Sequence, residues 1–259
     1  MVITGAGSGI GAAMAEALAG RGARLLLNDL DSAAVAAVAG RIGAEYLAGD
    51  VTNPADVGRL VDAATASMGG IDLFCANAGV ALPGSLDPDV FETSWHVNVM
   101  SHVHAARALL PGWLAAGRGR FLATVSAAGL LTMPGNAPYS VTKHAALGFA
   151  EWLRITYAHR GITVQALCPQ GVRTPMLERA DPRSAAVLTE GSITAEDVAT
   201  AVLTGLAGNE FLILPHPEVG GRAARRGTDR DGWLAAMNRA QQRLEAAFPD
   251  PAVPEGSAR

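Results

Sequence analysis

The chain has 259 residues, 49% of them hydrophobic and 17% charged, enough apolar material for one sizeable globular core. Its formal net charge of −4 leaves no excess of lysine and arginine to track a phosphate backbone, which argues against a nucleic-acid role. No apolar run reaches membrane-spanning length and no signal-peptide pattern opens the chain, so a cytoplasmic protein that does not engage membranes is expected.

Short runs rich in Val, Ile and Leu alternate with longer helix-patterned segments. Strands are expected at Met1–Thr4, Arg24–Asn28, Glu45–Ala48, Ile71–Ala76, Gly119–Val125, Ile162–Cys168 and Glu210–Leu214. The alternation predicts an α/β fold: a doubly wound parallel sheet of about seven strands with helices on both faces. Runs such as "RLLLN" and "RFLATV" suit strands buried on both sides. The first strand is awkward, because a central strand usually has about five or six residues. Either it is short, or the true start lies upstream.

That strand runs directly into Gly5, Gly9 and Gly11, which open the helix continuing "AAMAEALAGRG". In a dinucleotide site such glycines give a tight turn and let the backbone close on a pyrophosphate, which then sits at the helix N-terminus. The spacing Gly-x-x-x-Gly-x-Gly differs from the familiar fingerprint and is weak evidence alone. Asp29 follows at the end of "RLLLND", where a carboxylate accepts both ribose hydroxyls of an adenosine. The competing role, capping the next helix, suits Asp31 or Ser32 better. Asp29 would repel a 2′-phosphate, and neither Ser8 nor Leu30 supplies a cation to offset it, so NAD is favoured over NADP.

Further on stand "GDVTN" (49–53), "CANAG" (75–79), "HVNV" (96–99), "VSAAG" (125–129), "YSVTK" (139–143) and "CPQGVRTPM" (168–176). In that order after "TGAGSGIG", over roughly residues 1–214, the series resembles the short-chain dehydrogenase/reductase family in its shorter, single-domain branch. The resemblance implies a Rossmann fold and a nicotinamide cofactor. It implies that Ser8 and Ile10 join the three glycines around that cofactor, that Asp50 and Val51 flank the adenine, and that Asn77, Ala78, Gly79, Pro169, Val172 and Thr174 border it. Asn98, Ser126, Tyr139 and Lys143 match the family's catalytic tetrad, and the last two also fall in its cofactor-binding set. Read without the family, Asn98 ties a helix bend, Ser126 ends a strand, and Tyr139 is a core aromatic with a bonded hydroxyl.

Spacing supports the chemistry independently. Tyr139 and Lys143 lie four apart on a helix whose first turn follows Pro138, so one ammonium sits near one phenol. At ~6 Å and an effective dielectric of roughly 20, that charge contributes about 2.8 kcal/mol to the phenolate, the oxidised nicotinamide adds attraction of the same sign, and the coupled pair is expected to titrate with an apparent pKa near about 8 or below. Ser126, at the C-terminal end of a strand, occupies the edge where open α/β sheets bind ligands. The expected function is NAD-dependent hydride transfer between the cofactor and a secondary alcohol or ketone, with Tyr139 as acid/base. A non-catalytic redox sensor predicts loss of tetrad residues. An epimerase-type enzyme on a related fold predicts another glycine spacing and a larger C-terminal region than follows Leu214.

Where the family usually reads Pro-Gly after the sixth strand, this chain has Pro169-Gln170-Gly171. Gln170 either bonds substrate or turns into solvent while Gly171 takes the flexible role. A substrate loop is expected at about 174–193. Leu130, Leu131, Met133, Met176 and Leu177 either wall an apolar substrate or pack beneath that loop. Residues 215–259 read as an extension of the 1–214 domain: a turn-rich basic connector ("PHPEVGGRAARRGTDR"), one helix ("DGWLAAMNRAQQRLEAAF") and a frayed tail. The cluster Arg222, Arg225, Arg226 and Arg230 reads as a solvated connector rather than an anion site.

Cys75 and Cys168 are expected on strands two spacings apart, or ~10 Å, too far for a disulfide. No metal site is expected: there is no His-Glu-x-x-His, and His102 and His104 point to different helix faces. The run "KHAALGFAEWL" is apolar nearly all round, and family members commonly pair this helix across a twofold axis. A homodimer or homotetramer is expected.

Overall fold

The computed structural model describes residues 1–249. Among them, nine strands form in chain order: β1 (Val2–Thr4), β2 (Leu26–Asn28), β3 (Glu45–Tyr46), β4 (Leu73–Ala76), β5 (Gly119–Thr124), β6 (Ile162–Leu167), β7 (Val172–Arg173), β8 (Ile193–Thr194) and β9 (Leu212–Ile213). The helices are α1 (Gly9–Ala19), α2 (Ser32–Ile42), α3 (Pro54–Met68), α4 (Pro88–Trp95), α5 (Ser101–Ala116), α6 (Ala128–Leu131), α7 (Ala137–Tyr157), α8 (Pro175–Glu178), α9 (Pro182–Leu188), α10 (Ala195–Ala207), α11 (Glu218–Thr228) and α12 (Arg230–Ala247).

One seven-stranded sheet runs β3-β2-β1-β4-β5-β6-β9, every neighbouring pair parallel. All seven expected strands are present, each shorter than expected by one to three residues. The first strand is indeed short and indeed central: its three residues are almost wholly buried between β2 and β4. A small parallel ribbon of β7 and β8 was not expected. It pairs two residues with two, too short for a period-two pattern.

The continuous apolar runs follow from burial on both faces. Along β4, Phe74 and Ala76 join the core beneath α3, α5 and α7, with Leu60, Leu109, Trp113 and Leu153. Leu73 and Cys75 point the other way, into the core beneath α1, α2 and α10, with Met14, Val35 and Val198. Cys75 on β4 and Cys168 after β6 are separated by β5, and both thiols are free and buried. That burial pushes each thiol up to about 12.

The C-terminal segment differs from the expectation. The supposed connector forms a helix, α11, directly before α12. Its one buried residue, Val219, packs with Trp233 against Ala127 and Leu131 beside the C-terminal end of β5. Helix formation here is a tertiary effect, since a segment this polar and glycine-containing has little intrinsic helicity. Arg183 in α9 donates from Nε to the Phe248 carbonyl at 2.8 Å, tying α9 to the end of α12. Of the tail expected to fray, residues 250–259 lie outside the described residues. No described helix is long and apolar enough to cross a membrane.

Candidate active site

A cavity of about 920 Å³ opens at the C-terminal edge of the sheet, where parallel strands end and helices begin. Gly5, Ser8, Gly9, Ile10, Asp29, Asp50, Val51, Asn77, Ala78, Gly79, Ser126, Tyr139, Lys143, Pro169, Val172 and Thr174 all line it. Two expected residues do not: Gly11 and Asn98 sit behind the wall.

The glycine turn has the shape of an anion cradle. Gly5 and Gly9 have φ of +63° and +52°, the left-handed region that favours glycine. A Cβ on Gly5 would come within 2.8 Å of the Ala78 backbone. Gly11 serves packing, because a side chain there would collide with the Gly5 carbonyl. Ser8 at the N-cap of α1 makes no side-chain cap, so the first-turn N–H groups remain available to a ligand. Asp29 accepts hydrogen bonds from Gly7 N–H (2.8 Å) and Asp31 N–H (3.1 Å), which fix its carboxylate at the cavity wall. Asp31 caps α2, as the sequence suggested. Asp50 accepts from both the backbone and hydroxyl of Thr52 at 2.8 Å.

Asn77 does more than border the cavity. Its Nδ2 donates to the carbonyls of Thr4 and Gly5, and its Oδ1 accepts from Thr124 Oγ1, so one amide locks the ends of β1, β4 and β5 together. Asn98 lies in a π-helical turn, His96–Met100, between α4 and α5. Its side chain brackets Val80, accepting from the N–H and donating to the carbonyl, each at 2.9 Å, and also donates to Thr142 Oγ1 on α7. It is fully buried and positions the wall. A Cβ on Gly79 would fall 3.2 Å from Asn98 Oδ1 and 3.4 Å from Lys143 Nζ, so glycine leaves room for that ammonium.

Ser126, Tyr139 and Lys143 converge on the cavity floor. Asn136 caps α7 by accepting from Tyr139 N–H, which fixes the start of the helix carrying the other two side chains. Lys143 Nζ is 5.7 Å from the Tyr139 ring centre and donates to the Thr124 carbonyl at 3.0 Å. With 3% exposure and no carboxylate beside it, its ammonium is disfavoured by burial and its pKa falls to about 8. Tyr139 departs from the electrostatic expectation. Burial raises its pKa, a hydrogen bond with the Ser126 side chain works in the opposite direction, and the net shift is upward. Loss of water around the phenol is the largest influence in the ligand-free site.

Ser126 has φ +138°, a strained conformation for any residue but glycine. Its hydroxyl accepts from Ala128 N–H and approaches the Pro169 carbonyl at 3.4 Å. Ser126 also lines the cavity.

Sequence reasoning missed the contribution of the extension: Arg222, Trp233 and Met237 line the same cavity. Gln170, left open between substrate and solvent, also lines it and is held by α11. Its Oε1 accepts from Arg222 Nη1 at 3.0 Å and its Nε2 donates to Glu218 Oε1, while its backbone N–H donates to His216 Nδ1. Among the described residues no three or more His, Cys, Asp or Glu side chains converge as a metal cage. Buried His102 is held neutral, its pKa lowered to about 3, while His104 is half-buried.

The comparisons with known proteins agree with this geometry. The sequence model for short chain dehydrogenases matches residues 1–185. A 1-deoxy-11-beta-hydroxypentalenate dehydrogenase of Streptomyces avermitilis is 36% identical over 229 residues, covering 84% of each chain. A D-beta-hydroxybutyrate dehydrogenase of Cupriavidus necator is 31% identical over 186 residues, covering 69% of this chain and 72% of its own. A short-chain dehydrogenase/reductase from Burkholderia phymatum, solved in complex with NAD, superposes with a TM-score of 0.81 at 32% identity, covering 89% of this chain and 93% of that one. With its parallel sheet, its glycine cradle and this match over most of its length, the chain belongs to the short-chain dehydrogenase/reductase family of oxidoreductases.

Proposed function

We propose that the protein is an NAD-dependent oxidoreductase that interconverts a secondary alcohol and its ketone, with Tyr139 as the acid/base. The observation that carries this is the convergence of Ser126, Tyr139 and Lys143 in the same cavity as the Gly5–Gly9 cradle. Relatives named for hydroxypentalenate and hydroxybutyrate, and a neighbour solved with NAD, support the same class.

The residues fit the cofactor. The uncapped start of α1 and the backbone at Gly5 and Gly9 would hold the pyrophosphate, Asp29 the adenosine ribose, and Asp50 and Val51 the adenine edge. A carboxylate at Asp29 favours NAD, because a 2′-phosphate brought beside it meets like charge. When bound, the nicotinamide takes or returns a hydride at its C4.

The chain's own groups handle the proton. Ser126 Oγ donates to the substrate oxygen. Tyr139 Oη takes the hydroxyl proton as a carbonyl forms and gives it back in the reverse direction. Lys143 Nζ, fixed by the Thr124 carbonyl, places positive charge beside the phenol and favours the phenolate at the moment the proton moves. Asn98 acts through structure, holding Val80 and α7 in register.

An exposed apolar stripe of Val141, Trp152 and Ile155 on α7, with Trp95 also exposed on α4, supports assembly as a homodimer or homotetramer through this face.

A panel of secondary alcohols incubated with NAD, followed by absorbance of the reduced cofactor, tests the reading. Tyr139→Phe is expected to lose at least about a thousandfold in kcat while NAD affinity, measured by calorimetry, stays within about twofold. A Tyr139→Phe protein retaining most of its kcat overturns the mechanism.

A further inference from the structure

We propose that Arg222 binds the carboxylate of an apolar hydroxy or oxo acid, so that α11 supplies the polar end of the substrate site. The inference rests on the oxidoreductase reading and adds the substrate's chemical class.

Position is the first argument. Arg222 lines the cavity at the end where chemistry is proposed, not at the adenosine end walled by Asp29 and Asp50. Its Nη1 bonds Gln170 Oε1, and Gln170 directly follows Pro169, whose carbonyl faces the Ser126 hydroxyl. A molecule seated on Ser126 and Tyr139 therefore extends towards this guanidinium.

Charge balance is the second. Among the described residues Arg222 makes that one hydrogen bond, to a neutral amide, and no carboxylate lies within ion-pair distance of it. Glu218, one turn earlier on α11, bonds Gln170 Nε2 instead, so the glutamine stands between two charges that would otherwise pair. The remaining guanidinium donors are left for a ligand. Asp181, the nearby acid of the substrate loop, is occupied in capping α9, where it accepts from Arg183 N–H and Ser184 N–H.

The third is the company. Leu131, Met133, Met176, Leu177, Trp233 and Met237 line the same cavity. An apolar wall with the planar guanidinium of Arg222 at its rim matches an apolar body ending in a carboxylate. A phosphate dianion there would feel Glu218, which bonds Gln170 beside Arg222.

The test reads binding rather than turnover. Decanoate and 1-adamantanecarboxylate, a chain and a cage, are titrated by calorimetry into the NAD-saturated protein, each against its primary amide. The expected result is that at least one acid binds about tenfold or more tighter than its amide, the size of one partly exposed charge-assisted bond. Arg222→Met abolishes that preference by weakening the acid alone, and Arg222→Lys retains part of it. Arg179→Met, which removes the other arginine lining the cavity, leaves it in place. Equal binding of acid and amide, no binding of either acid to the wild-type protein, a preference that survives Arg222→Met, or one lost in Arg179→Met would each overturn the proposal. Because no turnover is read, a protein that discriminates acid from amide yet oxidises no alcohol refutes the oxidoreductase reading and leaves Arg222 standing.

Discussion

Lys143 is a buried cation without a counter-ion, and the fold should be more stable without it. Its pKa is lowered from 10.5 to about 8, by burial first of all. The unfolded chain therefore binds more protons than the folded one between about pH 8 and pH 10.5, so wild-type stability rises with pH across that window. Below pH 8 the full cost applies, on the order of 3 kcal/mol. Lys143→Met removes it and gives back about 1 kcal/mol through the Thr124 carbonyl, which loses its ammonium donor. At pH 7 the variant should be more stable by roughly 2 kcal/mol. The pH trend is the sharper readout: the stability difference should narrow by about 2 kcal/mol between pH 7 and pH 9.5. Cys75, pushed up to about 12, lowers stability as pH rises through its ordinary range in both proteins alike and cancels, whereas Cys168 feels the Lys143 charge and is replaced by alanine in both proteins so that its titration does not enter. Urea denaturation of the cofactor-free proteins in that range measures the difference. A gap that stays constant, or widens with pH, would refute the argument that the ammonium is stored against its solvation.

Ser126→Gly should be more stable than Ser126→Ala by about 1 kcal/mol or more, although both lose activity, because only glycine tolerates φ +138° without strain; equal melting temperatures would count against strain. Asp29→Ala should weaken NAD binding and narrow the preference for NAD over NADP, read as kcat/KM with each cofactor; unchanged discrimination would mean another residue reads the ribose. Trp152→Glu with Ile155→Glu should shift the protein to monomer mass in light scattering at micromolar concentration, while a wild-type chain already monomeric there would remove the assembly reading.

The sheet was legible because its inner strands are buried on both faces and announce themselves as apolar runs, whereas the edge strand β3 is exposed at both residues. The strand ends fall short of the runs: Arg24, Leu25 and Ala48 continue the pattern but lie outside β2 and β3. The cradle and the Tyr139–Lys143 spacing were equally legible, each being local to one turn or one helix face. What stayed hidden depends on distant contacts. The role of Asn98 emerges only once Val80 and Thr142 arrive beside it, and the helicity of "EVGGRAARRGT" rests on Val219 finding Ala127 and Leu131. The upward shift of the Tyr139 phenol in the ligand-free site stayed hidden for the same reason: spacing gives the distance to an ammonium, but only the packed structure gives the loss of water around both groups.

The wall of the site comes from two sources that meet only in the folded state. Everything proposed to hold cofactor or move a proton belongs to strand ends, to α1 or to α7, embedded in the two main cores. Trp233, Met237 and Arg222 belong to helices joined to the rest through a third, much smaller apolar cluster. Such an arrangement is modular. Residues on α11 and α12 can be rewritten, and the compounds admitted thereby changed, without disturbing a buried strand or the proton path. Gln170, clasped between Glu218 and Arg222, is shared by both modules at the cavity, and a change at either of those α11 positions must be matched there.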